Sequence, residues 1–392
     1  MRAYRRADEE ALLARGLLKD WAGEGFLTEA QQQQLEQETV CELRRTSVFL
    51  RCVLFFFSLV MVWAAFGLLT AVLFSPLSWE ATGFFYLVFT VATYVAAEVV
   101  VSKARLYRYG VEEALLCSAL VFFLVWGAAL LTKENYLFSV KNEDGGSILF
   151  VAGALLSLRI WHRFGLAYFF LAGVVLVSIL PFYWALEALA VRVTLAALFG
   201  AGLLAVGAIR PRHRYTYLNQ QYSIAEAILW VGIYLTVNLA VWRLWGSNPG
   251  VTEFWMSWGL TWCLPPLVLR RGIRMKDRFV IWVGVVTAIF TLASNRLYFG
   301  WPQHTWDPML LGALLIGVAL GLRRWLSAGQ GEIRYGFTAR RLSGKDAAWI
   351  QNAVTVVGLT SPHAAAPNGQ AASGEVKFGG GDSGGGGASS DW

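Results

Sequence analysis

Apolar and polar positions alternate in long blocks rather than at helical or strand spacing. Ten stretches of about twenty apolar residues, at 47–74, 80–101, 112–132, 146–164, 165–185, 189–209, 224–245, 251–269, 278–295 and 308–326, are separated by short polar segments. Each is long enough to cross roughly 30 Å of hydrocarbon as a helix. A water-soluble helix shows one apolar stripe, whereas these are apolar on all sides. The pattern predicts an all-α fold, a polytopic transmembrane helical bundle of about ten spans over residues 47–326. The boundary between the fourth and fifth stretches is the least marked.

Outside the apolar blocks the period changes. In "ADEEALLARGLLKDWA" Leu13, Leu17 and Trp21 recur at helical spacing, "GEG" breaks the helix, and Thr28 with Gln31 forms a capping box that starts a second one. Residues 1–46 are thus expected to make a small cytoplasmic helical hairpin. Its second half is rich in Gln and Glu, without the basic face of a nucleic-acid reader, so no nucleic acid is expected as a partner. After residue 326 the pattern fades. Ser343 and Asp346 suggest one short amphipathic helix at about 344–357, with Trp349, Ile350, Val354 and Val357 on it. The Gly-rich remainder, out to Trp392, has too few apolar residues to offset the entropy of ordering and is expected to be disordered.

Charge sets the orientation. The loops after the second, fourth, sixth and eighth stretches carry thirteen Lys and Arg, and the opposite loops carry four: Lys133, Lys141, Arg243 and Arg296. By the positive-inside rule both termini are cytoplasmic, and the net charge of +7 marks topology. Trp79, Trp184, Trp242, Trp245, Trp255, Trp258, Trp301 and Trp306 all fall near outer ends, as in an aromatic belt. Composition agrees, with 56% apolar and 15% charged residues. The four cysteines show no paired spacing, so neither a disulfide framework nor a metal site is indicated.

Candidate chemistry is sparse. "GDSGG" around Ser383 is the string that surrounds the nucleophile of trypsin-like proteases, yet none of His162, His213, His304 and His363 lies where it could serve a serine in a flexible tail. No phosphate loop, HExxH motif or zinc cluster is present, so no cofactor is expected. Ionisable residues in the spans are few. Glu98, Glu226, Arg51 and Arg192 lie near span ends, where they can reach the interface by snorkelling or pair with loop arginines. Asn238 and Asn295 lie deeper and suit interhelical hydrogen bonds. Glu253, Arg296, His304 and Asp307 are candidates for outer-face chemistry on a lipid-linked substrate. In "RRGIRMKDR", Arg270, Arg271, Arg274, Lys276 and Arg278 are a candidate surface for anionic lipid. No carboxylate lies mid-span, which disfavours an ion-coupled carrier.

"LLKDWAGEGFLTEAQQQQL", followed by a multi-span region, resembles bacterial polytopic proteins of the DUF2157-like type, and "GGGDSGGGGASSDW" is similar to the Gly-Ser tails of some membrane proteins bearing TPM domains. The first resemblance implies a bacterial inner-membrane protein and no catalytic residues. Three functions stay open: a non-enzymatic scaffold or sensor whose hairpin and tail, including Trp392, meet protein partners; a facilitator or lipid transporter; and an outer-face membrane enzyme. Membrane lipids are partners in each.

Overall fold

A computed structural model describes residues 3–23, 26–39, 41, 43–44, 46–73, 79–131, 143–184, 186–213, 218–243, 250–299, 307–328, 333–334 and 337–338. The chain forms two compact units, Met1–Leu322 and Arg323–Trp392. The first contains α1 (Arg6–Gly23), α2 (Glu29–Glu38), α3 (Val48–Leu73), α4 (Trp79–Ala104), α5 (Val111–Leu131), α6 (Glu143–Phe164), α7 (Ala167–Tyr183) and α8 (Ala188–Ile209). A 3₁₀ turn at Arg210–His213 leads to α9 (Asn219–Val237), α10 (Leu239–Arg243), α11 (Val251–Met275), α12 (Arg278–Phe299) and most of α13 (Asp307–Ser327). In the second unit β1 (Ile333–Arg334) pairs antiparallel with β2 (Phe337–Thr338). The expected helix at 344–357, Ser383 and Trp392 lie outside the described residues.

Among the described residues, six helical stretches are long and apolar enough to cross a membrane: Val48–Val72, Gly83–Ala104, Val111–Leu130, Gly145–Phe164, Ala188–His213 and Arg278–Asn295. Helix α7 is apolar but has 17 residues, about 26 Å at 1.5 Å per residue. On α3, Phe49, Phe56, Phe57, Val60, Met61 and Leu68 all face outward. Apolar surface of that extent is unstable in water, and a membrane-embedded protein accounts for it.

Residue pairs fix the helix directions. Helices α4 and α5 are antiparallel, with Phe89 on Phe122 and Gly83 beside Ala129. Helices α6 and α7 are also antiparallel, since Phe150 meets Tyr183 and Ser157 donates to the Phe169 carbonyl at 2.6 Å. Between them Gly165, at φ +73°, ends α6 and donates to Trp161 O at 2.7 Å. A left-handed glycine just past a helix is the ordinary stop signal. The least-marked boundary in the sequence is therefore a tight helical hairpin. Three pairs run parallel: α3 with α5 through Arg51–Glu113 and Trp63–Phe122, α8 with α11 through Arg192–Ser257 and Gly207 beside Arg271, and α9 with α12 through Tyr234–Thr291 and Asn238–Ser294. The bundle thus alternates in direction wherever these contacts test it.

N-terminal to the bundle, a capping box starts α2. Thr28 Oγ1 accepts from Gln31 N–H at 3.3 Å, and Gln31 Oε1 accepts from Thr28 N–H at 3.0 Å. The α1 apolar stripe of Leu13, Leu17 and Trp21 is exposed. Tyr4 is buried instead, among Ala97, Leu116, Ile160 and Phe164 at one end of the bundle. Ala3 N–H donates to Arg163 O at 3.0 Å, and Arg44 exchanges backbone hydrogen bonds with Arg105 and Tyr107. The hairpin is thereby tied to the loops that carry most of the Lys and Arg, here termed the basic end.

Candidate functional site

At the basic end four charges form a closed cluster. Arg210, at the head of the 3₁₀ turn, pairs with Glu226 of α9 and with Asp277 in the turn between α11 and α12. Arg271 pairs with the other oxygen of Glu226 at 2.9 Å, and Ser223 donates to Asp277 at 2.6 Å. Side chains of Glu226, Arg210 and Asp277 are 2%, 4% and 4% exposed, so all three sit out of water. Two guanidinium groups and two carboxylates sum to zero, the condition for holding charge in a low-dielectric interior.

Local geometry delivers Asp277 to that position. Lys276 is left-handed at φ 53° and caps α11, and Asp277 Oδ1 caps α12 by accepting from Phe279 N–H at 2.9 Å. Gly272 sits where a Cβ would lie 2.8 Å from the Ile281 nitrogen, which lets the two helices close. Two further pairs flank this cluster: Arg163 with Glu98 (2.8 Å) and Arg51 with Glu113 (3.1 Å).

Toward the other end, Asn238 interrupts the seventh apolar stretch with an extended backbone, φ −72° and ψ 110°, between α9 and α10. The last carbonyls of α9 lose their helical partners there, and each would cost several kcal/mol if left unpaired in an apolar medium. Tyr234 O keeps its helical donor, Asn238 N–H, and the three freed carbonyls are all taken: Leu235 O accepts from the Trp242 indole at 3.2 Å, and Thr236 O and Val237 O from the Arg192 guanidinium, both at 3.1 Å. Arg192 also pairs with Glu253 and donates to Ser257 at 3.0 Å. Asn238 donates to Tyr234 (3.0 Å) and Ser294 (3.2 Å), and its Oδ1 caps α10 through Ala240 N–H at 3.0 Å.

This arrangement corrects one expectation. Arg192 does not snorkel to an interface but is buried, because only its five-donor fork can serve two adjacent carbonyls, a carboxylate and a hydroxyl together. Glu253 is in turn occupied by Arg192.

Beside the break lies a cavity of about 440 Å³ bounded by α7, α8, α9, α10 and Val283 of α12. Among the described residues, its only side-chain oxygens belong to Ser178 and Thr236, which donate back to Val174 O and Ile233 O in their own helices. The wall therefore offers an apolar surface to a ligand. Phe182 and Trp242 stack 5.8 Å apart at one end of it. Trp242 is buried there rather than in an aromatic belt, whereas Trp184 and Trp255 are exposed.

A second pocket, of about 460 Å³, opens at the basic end between α1 and the bundle. Leu12, Leu13 and Leu17 form one side, and Arg51, Arg108, Tyr168 and Arg278 form the other. Nearby, the buried Tyr4 phenol keeps its proton well above the usual range, because burial and then the Glu112 carboxylate oppose its ionisation.

The expected site residues separate clearly. Glu98 and Glu226 pair with loop arginines, and Asn238 makes interhelical hydrogen bonds as expected. Asn295 accepts from the indoles of Trp258 (2.9 Å) and Trp262 (3.4 Å). Of the basic loop, Arg271 joins the cluster and Arg278 lines the second pocket, while Arg270, Arg274 and Lys276 are exposed. The side chains of Arg296 and Asp307, and all of His304, lie outside the described residues. Asp277 escaped notice because it sits inside a basic run and its partners are distant in sequence. Among the described residues no group of three or more His, Cys, Asp or Glu is placed to hold a metal ion. The chain matches no protein-family model, no curated protein and no solved structure.

Proposed function

We propose that this chain is a ten-span protein of the bacterial inner membrane, with both termini cytoplasmic, that accommodates a lipid chain in its bundle and presents its hairpin to cytoplasmic partners. On this reading it is a lipid-responsive scaffold, with kinship to DUF2157-like proteins, rather than an enzyme. The observation that carries it is the apolar cavity beside the broken helix. Its volume falls in the range of small-molecule sites, roughly 300–1,000 Å³, but it lacks the convergent polar groups that would orient a polar substrate.

Topology is supported by the alternating helix directions and by the gathering of Lys and Arg loops at the end where α1 docks. Reporter fusions test it: a fusion after residue 140 should report the outside and one after residue 215 the cytoplasm. The reverse at either point would refute the ten-span arrangement. Native mass spectrometry of protein extracted in mild detergent tests occupancy. Lipid adducts should accompany the wild type and diminish when Val231→Trp fills the cavity. A wild type free of adducts would count against the reading.

A further inference from the structure

The two pockets share a wall. Ile224, near the start of α9, lines both the apolar cavity and the polar pocket beneath α1. An apolar slot thus meets a basic vestibule at one residue. We infer that they form a single site for an anionic glycerophospholipid, with an acyl chain along α9 and the phosphate between Arg108 and Arg278. The inference rests on the lipid-chain reading above and specifies the head group.

Charge favours an anion. The vestibule holds three guanidinium groups against one carboxylate, Glu9. Arg51 is engaged by Glu113, but Arg108 and Arg278 meet no carboxylate among the described residues. Each instead lies over a ring, Arg108 above Tyr107 at 5.5 Å and Arg278 above Phe279 at 4.9 Å. Arginine matches phosphate through paired, charge-assisted hydrogen bonds.

The backbone holds Arg108 at this position. Arg108 is left-handed at φ 50°, an uncommon state for a side-chain-bearing residue, and Gly110 follows at φ +103°. At Gly110 a Cβ would lie 2.3 Å from Arg51 O, so the turn is pressed against α3 and cannot relax. Conformational strain of this kind persists where the surroundings over-determine it. Opposite, Leu13 and Leu17 of α1 face the pocket with apolar surface, which suits the glycerol and upper acyl region of a lipid better than a free anion. The exposed stripe of α1 thereby acquires a role as the cover of an occupied site.

The test uses the full chain in nanodiscs of phosphatidylcholine, titrated with phosphatidylglycerol and read by native mass spectrometry, with size-exclusion profiles to confirm folding. Wild type should prefer phosphatidylglycerol over phosphatidylcholine. Arg108→Gln with Arg278→Gln should reduce that preference about tenfold or more, as expected if each lost charge-assisted bond matters. Retention of the full preference in the double variant would overturn the head-group assignment while leaving the lipid-chain reading intact. Val231→Trp should weaken both lipids alike, and unchanged binding there would overturn the lipid-chain reading itself. Inorganic phosphate alone is the final arm. Saturable phosphate binding that phosphatidylglycerol fails to displace would assign the vestibule to a free anion and overturn the proposal.

Discussion

Replacing Arg210 with Met should be among the most damaging changes available in this protein, and more damaging than removing either of its partners. Arg210 bridges Glu226 and Asp277, both almost wholly buried. Without it the cluster holds two carboxylates and one guanidinium, an excess negative charge with no route to solvent. Removing one partner from a buried pair costs about 3–5 kcal/mol. Asp277→Asn leaves the opposite excess, but Arg271 is 41% exposed and can swing outward to relieve it. The Asn can still cap α12, so the cost should be that of one charge-assisted hydrogen bond, about 1.5–3 kcal/mol. Asp277→Asn in the Arg210→Met background leaves the paired Glu226 and Arg271 as a neutral remainder and should recover part of the loss. Equilibrium unfolding in mixed micelles, followed by tryptophan fluorescence, measures all four proteins. The reasoning fails if Arg210→Met costs no more than Asp277→Asn, or if the double variant is no more stable than Arg210→Met.

Arg192→Met should destabilise by about 3–5 kcal/mol in the same assay, and Arg192→Lys should recover only part, because a single ammonium cannot fork across Thr236 O and Val237 O. Lys276→Gly should stabilise by up to about 1 kcal/mol, since the roughly 1–2 kcal/mol of left-handed strain it relieves exceeds the entropy that glycine adds to the unfolded chain, and a loss of stability would contradict that backbone assignment. The buried Tyr4 hydroxyl has no hydrogen-bond partner among the described residues, so Tyr4→Phe should leave thermal stability unchanged or raise it. Gly110→Ala should cost more than about 1–2 kcal/mol from the positive φ and the contact with Arg51 O, visible as a lower unfolding midpoint.

Helix positions were readable because they depend on local composition. The long apolar runs and the Thr28 capping box each act within a few residues. The break at Asn238 carried no such mark, having neither Pro nor Gly, and exists because Arg192, Tyr298 and Trp242 satisfy the freed groups from elsewhere. The same holds for Asp277. Its neighbours Lys276 and Arg278 suggest a solvated basic loop, while its actual partners, Ser223 and Arg210, lie 54 and 67 residues away. For the stripe of α1, helical spacing shows that a face is apolar, not what covers it. Pairing of Glu98 and Glu226 with loop arginines was legible because charges near span ends have few other options.

The carbonyls at the end of α9 also bear on membrane insertion. A segment that ends in open carbonyls is a poor guest in hydrocarbon until Arg192 reaches it, and Arg192 is a poor guest until it finds those carbonyls and Glu253. Each helix supplies what makes the other soluble in lipid. On the ten-span reading, α8 and α9 are therefore mutual requirements for entry into the bilayer, and α11 completes the set with Glu253.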